Sequence, residues 1–328
     1  MSTIRSRPSP LFLFSLPRAG STLCQRILGA HSEIATVSEP NILLHFLYSL
    51  KECDVYSIYN HQRAVAGIRE FCHALPNGMD DYLAEMRDLA RRLYAKAAQS
   101  KVEYFLDKTP QYHFVAEDIL HLFPEAKAIF LWRHPLSVVS SNLITFCDGQ
   151  WTAYDDVHFF RGIANLTSAY QKYADRVCAV RYEDLVLNPV ETWKRVFAYL
   201  ELSFEPDVLS NFAEVRLNSR RDPNMDSPHY QVIRQEPIYK WKRVLANPLR
   251  KAWCRRYLKW IGRERLAVMG YDLEDLMDEL DALPFSLRFI GMDIYQMPYS
   301  FARRVLELRI MKHKWQGLWS GHRIYAHL

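Results

Sequence analysis

Four apolar residues in a row, Leu11-Phe12-Leu13-Phe14, give way at once to Pro17-Arg18-Ala19-Gly20, and a helical pattern starts at Ser21-Thr22 with Leu23, Ile27 and Leu28 on one face. A short continuous apolar run bounded by breakers suits a strand covered on both sides, so helices elsewhere in the chain must supply two covering layers. The pattern repeats. Strands are expected at 103–106, 126–132 and 177–182, and helices at 114–122, 136–146, 154–174 and 248–269. Such alternation predicts an α/β fold with a central parallel sheet flanked by helices in three layers. Residues 41–100 read as a helical insertion, with Leu83, Met86, Leu89, Ala90 and Leu93 on its inner face after the caps Asp80 and Asp81. Residues 205–239 lose all periodicity and read as a long lid.

Composition removes several classes. Hydrophobic residues make up 49% and charged residues 24% of the 328, the profile of an ordinary folded protein rather than a disordered or collagen-like one. Cys24, Cys53, Cys72, Cys147, Cys178 and Cys254 form no C-x-x-C pair, which argues against a zinc site or disulfide scaffold and for a reducing, cytoplasmic setting. The apolar run from Leu11 to Leu16 is far shorter than the ~20 residues of a membrane span, and no cleavage-type segment follows it. Residues 283–328 hold seven Lys or Arg against two acids, leaving 35 of each sign before them. So balanced a body has no footprint for a nucleic-acid backbone.

Ser15 to Thr22 lies between a buried strand and a helix start, where free backbone N–H groups and the helix dipole bind anions. Against the nucleotide pattern G-x-x-x-x-G-K-[ST], Gly20 and Thr22 fit, Ser15 replaces the first glycine and Ser21 replaces the lysine. The cation has moved to Arg18. Where a phosphoryl-transfer enzyme would place a metal-binding acid after its second apolar strand, Arg133 follows Trp132 instead. A cation there recognises an anion in the crevice at the carboxyl ends of the strands.

These motifs resemble the sulfotransferase family that uses 3′-phosphoadenylyl sulfate, in a bacterial-type branch similar to tyrosylprotein sulfotransferases. Pro17-Arg18-Ala19-Gly20-Ser21-Thr22-Leu23 is similar to the family's 5′-phosphosulfate loop, and Arg133 with Ser141 to its 3′-phosphate motif. Tyr182-Glu183-Asp184-Leu185 is similar to its Y-E-D-L, and Lys240-Trp241 to a segment of its lid. His134 stands where the family often has an acid, and its R-K-G signature is not intact between residues 220 and 235. The resemblance implies a P-loop-like sulfotransferase domain over 10–272 and a basic helical extension over 273–328. It implies donor contacts from Arg18, Ala19, Gly20, Ser21, Thr22, Arg133, Ser141, Tyr182 and Lys240, with adenosine 3′,5′-bisphosphate (PAP) as product and no metal.

A base must lie near the donor sulfur to take the acceptor proton. Glu39, in Ser38-Glu39-Pro40, sits at the spacing the resemblance gives to the catalytic glutamate, against the plainer role of a loop acid or cap partner. Lys108, in Asp107-Lys108-Thr109-Pro110, is placed to stabilise the departing bridging oxygen, against a salt bridge to Asp107 or Glu125. His31, His45 and His113 compete as bases. The expected acceptor is a hydroxyl on a glycan or lipid-linked glycan, with a small alcohol, a phenol or a tyrosyl group as alternatives, and a nucleotide-dependent kinase as the competing enzyme class. In the tail, Phe301, Val305, Leu308, Met311 and Trp315 form a helical stripe flanked by Arg303, Arg304, Arg309, Lys312 and Lys314. It suits an anionic membrane surface, the body of the protein or a second subunit.

Overall fold

A computed structural model describes residues 7–151, 157–217, 231–306, 311, 315 and 325–327. In chain order its elements are β1 (Ser9–Ser15), α1 (Ser21–Gly29), β2 (Ile34–Thr36), α2 (Ile42–Tyr48), β3 (Val55–Ser57), α3 (His61–Cys72), α4 (Met79–Ala98) and β4 (Tyr104–Asp107). A 3₁₀ turn (Pro110–Phe114), α5 (Ala116–Leu122), β5 (Lys127–Trp132), α6 (Pro135–Cys147), a π-helical turn (Val157–Gly162) and α7 (Ile163–Lys172) follow. Then come β6 (Cys178–Arg181), α8 (Tyr182–Leu187), α9 (Pro189–Tyr199), α10 (Val208–Asn211), α11 (Glu236–Tyr239) and α12 (Trp241–Val244). The chain closes with α13 (Pro248–Val268), α14 (Leu273–Asp281), α15 (Ile290–Val305) and β7 (Tyr325–His327).

Five strands make one parallel sheet in the order β2-β4-β1-β5-β6. Successive strand residues point to opposite faces, which divides the core in two. Phe12, Phe14, Phe105, Phe130 and Trp132 pack with Tyr94, Leu166 and Leu258 on one side. Leu11, Leu13, Leu106, Ile129, Leu131 and Val180 pack with Ile27, Trp193 and Phe197 on the other. The three expected layers are present. Just beyond residue 272, Leu276 and Leu280 of α14 join the first of these clusters.

Several expectations need correction. Residues 41–100 are not helical throughout, because β3 interrupts them and pairs antiparallel with β7. In α4 the buried stripe is Met86, Ala90, Tyr94 and Ala98, a strict four-residue spacing that leaves Leu89 and Leu93 exposed on its flank. The helix is capped by Gly78, and Asp80 and Asp81 lie in the first turn, where they face the helix dipole. The helix expected at 154–174 is a π turn followed by α7, with 152–156 outside the described residues. The expected lid holds α10 and α11, and 218–230 lie outside the described residues. Of the tail stripe, Phe301, Met311 and Trp315 are exposed, while the side chains of Val305 and Leu308 lie outside the description.

Candidate active site

Parallel strands all end on the same edge of the sheet, and each of the five delivers one of the residues expected at the site there. Glu39 follows β2, Lys108 follows β4, Arg18 follows β1, Arg133 follows β5 and Tyr182 follows β6. Neighbouring strands therefore bring together residues as far apart as 18 and 182 in the chain.

The loop after β1 is shaped by backbone conformation. Arg18 has φ 67° and Gly20 φ 97°, and Gly20 caps α1 from the left-handed region. A side chain at Gly20 would run into the ring of Tyr182, so glycine is required both by the turn and by the close approach. The amides opening α1 point out of the helix end, as an anion cradle needs.

Two arginines meet beside this loop. Arg133 is buried, donates from Nη1 to the Arg18 carbonyl at 2.8 Å and from Nη2 to the Pro237 carbonyl at 2.8 Å, and lies over the Tyr182 ring at 4.4 Å. Its Nε is buried without a hydrogen-bond partner among the described residues, and burial lowers its pKa from the ordinary arginine value. A buried cation holding back a donor is a site prepared for an anion. Arg18 donates from Nε to the Ser141 hydroxyl at 3.4 Å, and its guanidinium lies 5.6 Å from the Phe146 ring centre.

Across the crevice, Lys108 Nζ donates to Glu39 Oε1 at 2.9 Å, and the lysine is 1% exposed. The salt bridge weighed for Lys108 with Asp107 or Glu125 is thus replaced by a pairing with Glu39, and Glu125 pairs instead with Arg91. Asp107 does something the sequence reading missed. Fully buried, it accepts from Tyr94 at 2.7 Å, Tyr112 at 2.9 Å and Thr109 at 3.2 Å. Thr109 and Tyr112 in turn accept from the Asn41 and Leu43 amides at 3.2 and 3.3 Å, which ties the chain beyond Glu39 to the chain beyond Lys108. Burial pushes the Asp107 carboxyl up to about 6 despite these three donors. An acid closing a short buried strand, next to a lysine, was the available signal.

Other predicted residues fall elsewhere. The Lys240 ammonium is half exposed and 3.4 Å from Glu236, outside this convergence. A cavity of about 270 Å³ beside Arg133 is lined by His134, Glu183, Trp241, Lys242 and Tyr271, without Lys240. His31 is held by the Ser203 carbonyl at 2.9 Å, His45 is exposed, and His113 is bonded to His158 at 2.7 Å. Burial drives His113 down to about 3, and burial with the Arg133 charge does the same to His134, which stacks on Trp241 at 4.7 Å.

The profile described as Sulfotransferase family matches residues 10–206, which takes in every strand of the sheet and all the converging residues named above. The chain belongs to the sulfotransferase family. Nodulation protein NoeE of Sinorhizobium fredii is 28% identical to this sulfotransferase-family chain over 221 residues, 59% of this chain and 50% of that protein. Protein-tyrosine sulfotransferase 1 of Danio rerio is 25% identical over 216 residues, 63% of this chain and 57% of that one. The chain thus spans about half the length of these curated relatives. In three dimensions it shares its fold with the sulfotransferase domain from the curacin biosynthetic pathway, with a TM-score of 0.53 and 21% identity over 81% of this chain and 98% of that one.

Proposed function

We propose that the chain transfers a sulfuryl group from 3′-phosphoadenylyl sulfate to a hydroxyl on a glycan or lipid-linked glycan, leaving PAP. The observation that carries this is the convergence of five strand ends, with a cradle at Gly20 and a buried arginine whose Nε has no partner among the described residues. The residues present fit the donor. Arg18 and the amides of Ala19, Gly20, Ser21 and Thr22 would hold its 5′ phosphosulfate, Arg133 and Ser141 its 3′ phosphate, and Tyr182 would lie near its nucleoside. When bound, the donor supplies the activated sulfuryl group, and no metal is assigned to the step.

The rest falls to this chain's own side chains. Glu39 accepts the acceptor's proton as its oxygen bonds to sulfur, and Lys108 balances the charge gathering on the phosphate oxygen as the old S–O bond breaks. The 2.9 Å pair lets a single ammonium hold the base in place and face the leaving group. A base so positioned can take the proton of an alcohol or of a phenol, so the choice of acceptor rests on the panel below. Location in the cytoplasm, at a membrane surface, belongs to the same reading.

The test is transfer of labelled sulfate to a panel of oligosaccharides, lipid-linked glycans, tyrosine peptides and simple phenols. Labelling of the glycans is expected. Labelling of peptides or phenols alone would replace the acceptor assignment, and phosphate transfer from ATP with Mg²⁺ would replace the donor assignment.

A further inference from the structure

Helices on a protein surface ordinarily turn apolar residues inward and polar ones outward. Helix α15 does the reverse. Its inward residues are Asp293, Gln296, Met297 and Ser300, of which Met297 alone is apolar and reaches the core. Asp293, fully buried, receives Arg250 through Nε at 2.7 Å and Nη2 at 2.8 Å, with Asn247 Nδ2 at 2.6 Å. Ser300 donates to the Trp151 carbonyl at 3.3 Å. Facing out are Ile294, Tyr295, Tyr299 and Phe301, from 48% to 69% exposed, with Phe285 and Leu287 exposed just before the helix. The buried ion pair sets the helix's rotation, so the apolar side cannot turn inward without stranding two charges.

We propose that this face of α15 is a docking surface for an anionic lipid membrane. A contiguous band of exposed aromatic and aliphatic side chains marks an interaction site, and Tyr, Trp and Phe are the residues that settle at a membrane–water boundary. Charge selects the occupant. From residue 294 to the end there are six Lys or Arg and one acid, Glu307, the neighbouring acid Asp293 being already neutralised inside the fold by Arg250. A second copy docking on the same face would set basic segment against basic segment, whereas anionic headgroups complement it. Met311 and Trp315, within that basic segment, are exposed as well. The assignment extends the membrane-surface location of the proposed function to a particular face, and its test does not require turnover.

The experiment is co-sedimentation of the full chain with vesicles of phosphatidylcholine alone and of phosphatidylcholine mixed with phosphatidylserine, at low and high salt. Binding is expected to the mixed vesicles, weakened by salt. Arg303→Gln with Arg304→Gln should lower the partition coefficient by about fivefold for each charge removed. Tyr295→Ser with Tyr299→Ser and Phe301→Ser should abolish binding. Tyr295, Tyr299 and Phe301 are exposed, and an unchanged melting temperature in each variant is the check that it folds. Equal binding to neutral vesicles, no binding to either kind, or binding indifferent to the apolar substitutions would overturn the proposal. So would a concentration-dependent dimer by light scattering that the apolar substitutions dissociate, which would hand the face to a second copy.

Discussion

Replacing Gly20 with alanine strikes the loop after β1 where backbone and packing constrain it together. At φ 97° an L-residue is strained, a penalty of about 1 kcal/mol. The new methyl would also meet the Cδ2 and Cε2 atoms of Tyr182, whose ring packs 4.4 Å from the Arg133 guanidinium. Moving a buried ring adds about 1–3 kcal/mol, for a total of roughly 2–4 kcal/mol. A chain of 328 residues has an unfolding entropy near 0.7 kcal/mol per degree, so the melting temperature should fall by about 3–6 °C. PAP affinity should fall as well, because the ring and the amide cradle shift together. The control is Gly67→Ala in α3, where nothing lies within 4 Å of the added carbon, and about 0.5–1 kcal/mol of stabilisation is expected. Differential scanning calorimetry and calorimetric titration of PAP read both effects. A Gly20→Ala protein that melts and binds like the parent would refute the reasoning.

Three further outcomes follow from the same geometry. Arg250→Met alone should cost about 3–5 kcal/mol in urea unfolding by leaving Asp293 buried and unpaired, and adding Asp293→Leu should restore most of it. His134 and His113, both held near 3, contribute stability that is complete above pH 6.5 and is lost as the pH falls toward 3. Asp107, raised to about 6, acts in the opposite sense, its stability present below about 3.8 and lost as the pH rises through 6. Stability should therefore drop on acidification with Asp107 offsetting part of the loss, and His134→Phe should flatten that limb by roughly 2–3 kcal/mol at about pH 4.5. Glu39→Gln should cut turnover by about 10²–10⁴-fold while PAP binding survives, as equilibrium titration and a sulfate-transfer assay would show.

How much was legible in advance depended on how local each signal is. β1, its loop and α1 could be read because a fully buried strand has no polar alternation and ends in residues that cannot continue it. β2 went unread because three residues with a single fully buried side chain carry no period. In α4 the leucines drew attention by composition, yet tertiary packing chose Tyr94, whose hydroxyl reaches Asp107. The converging residues after β1, β4 and β5 were found as motifs, since each follows its strand directly. The Asp107 network joins residues from positions 41 to 112, a juxtaposition that exists only once β2 and β4 pair. Lys240 was placed by its neighbour Trp241, and while the tryptophan is buried against His134, the lysine faces solvent beside Glu236.

The central claim is that this crevice holds a 3′-phosphorylated nucleotide without a metal, and titrating PAP into the chain in EDTA tests it most directly. The account predicts saturable one-to-one binding, with about 2.7 kcal/mol of added stability, or about 4 °C, at a hundredfold excess over Kd. Arg133→Ala should weaken that binding by about 10–100-fold, the loss of a charge-assisted contact. Binding of ATP that requires Mg²⁺, with none of PAP, would contradict it.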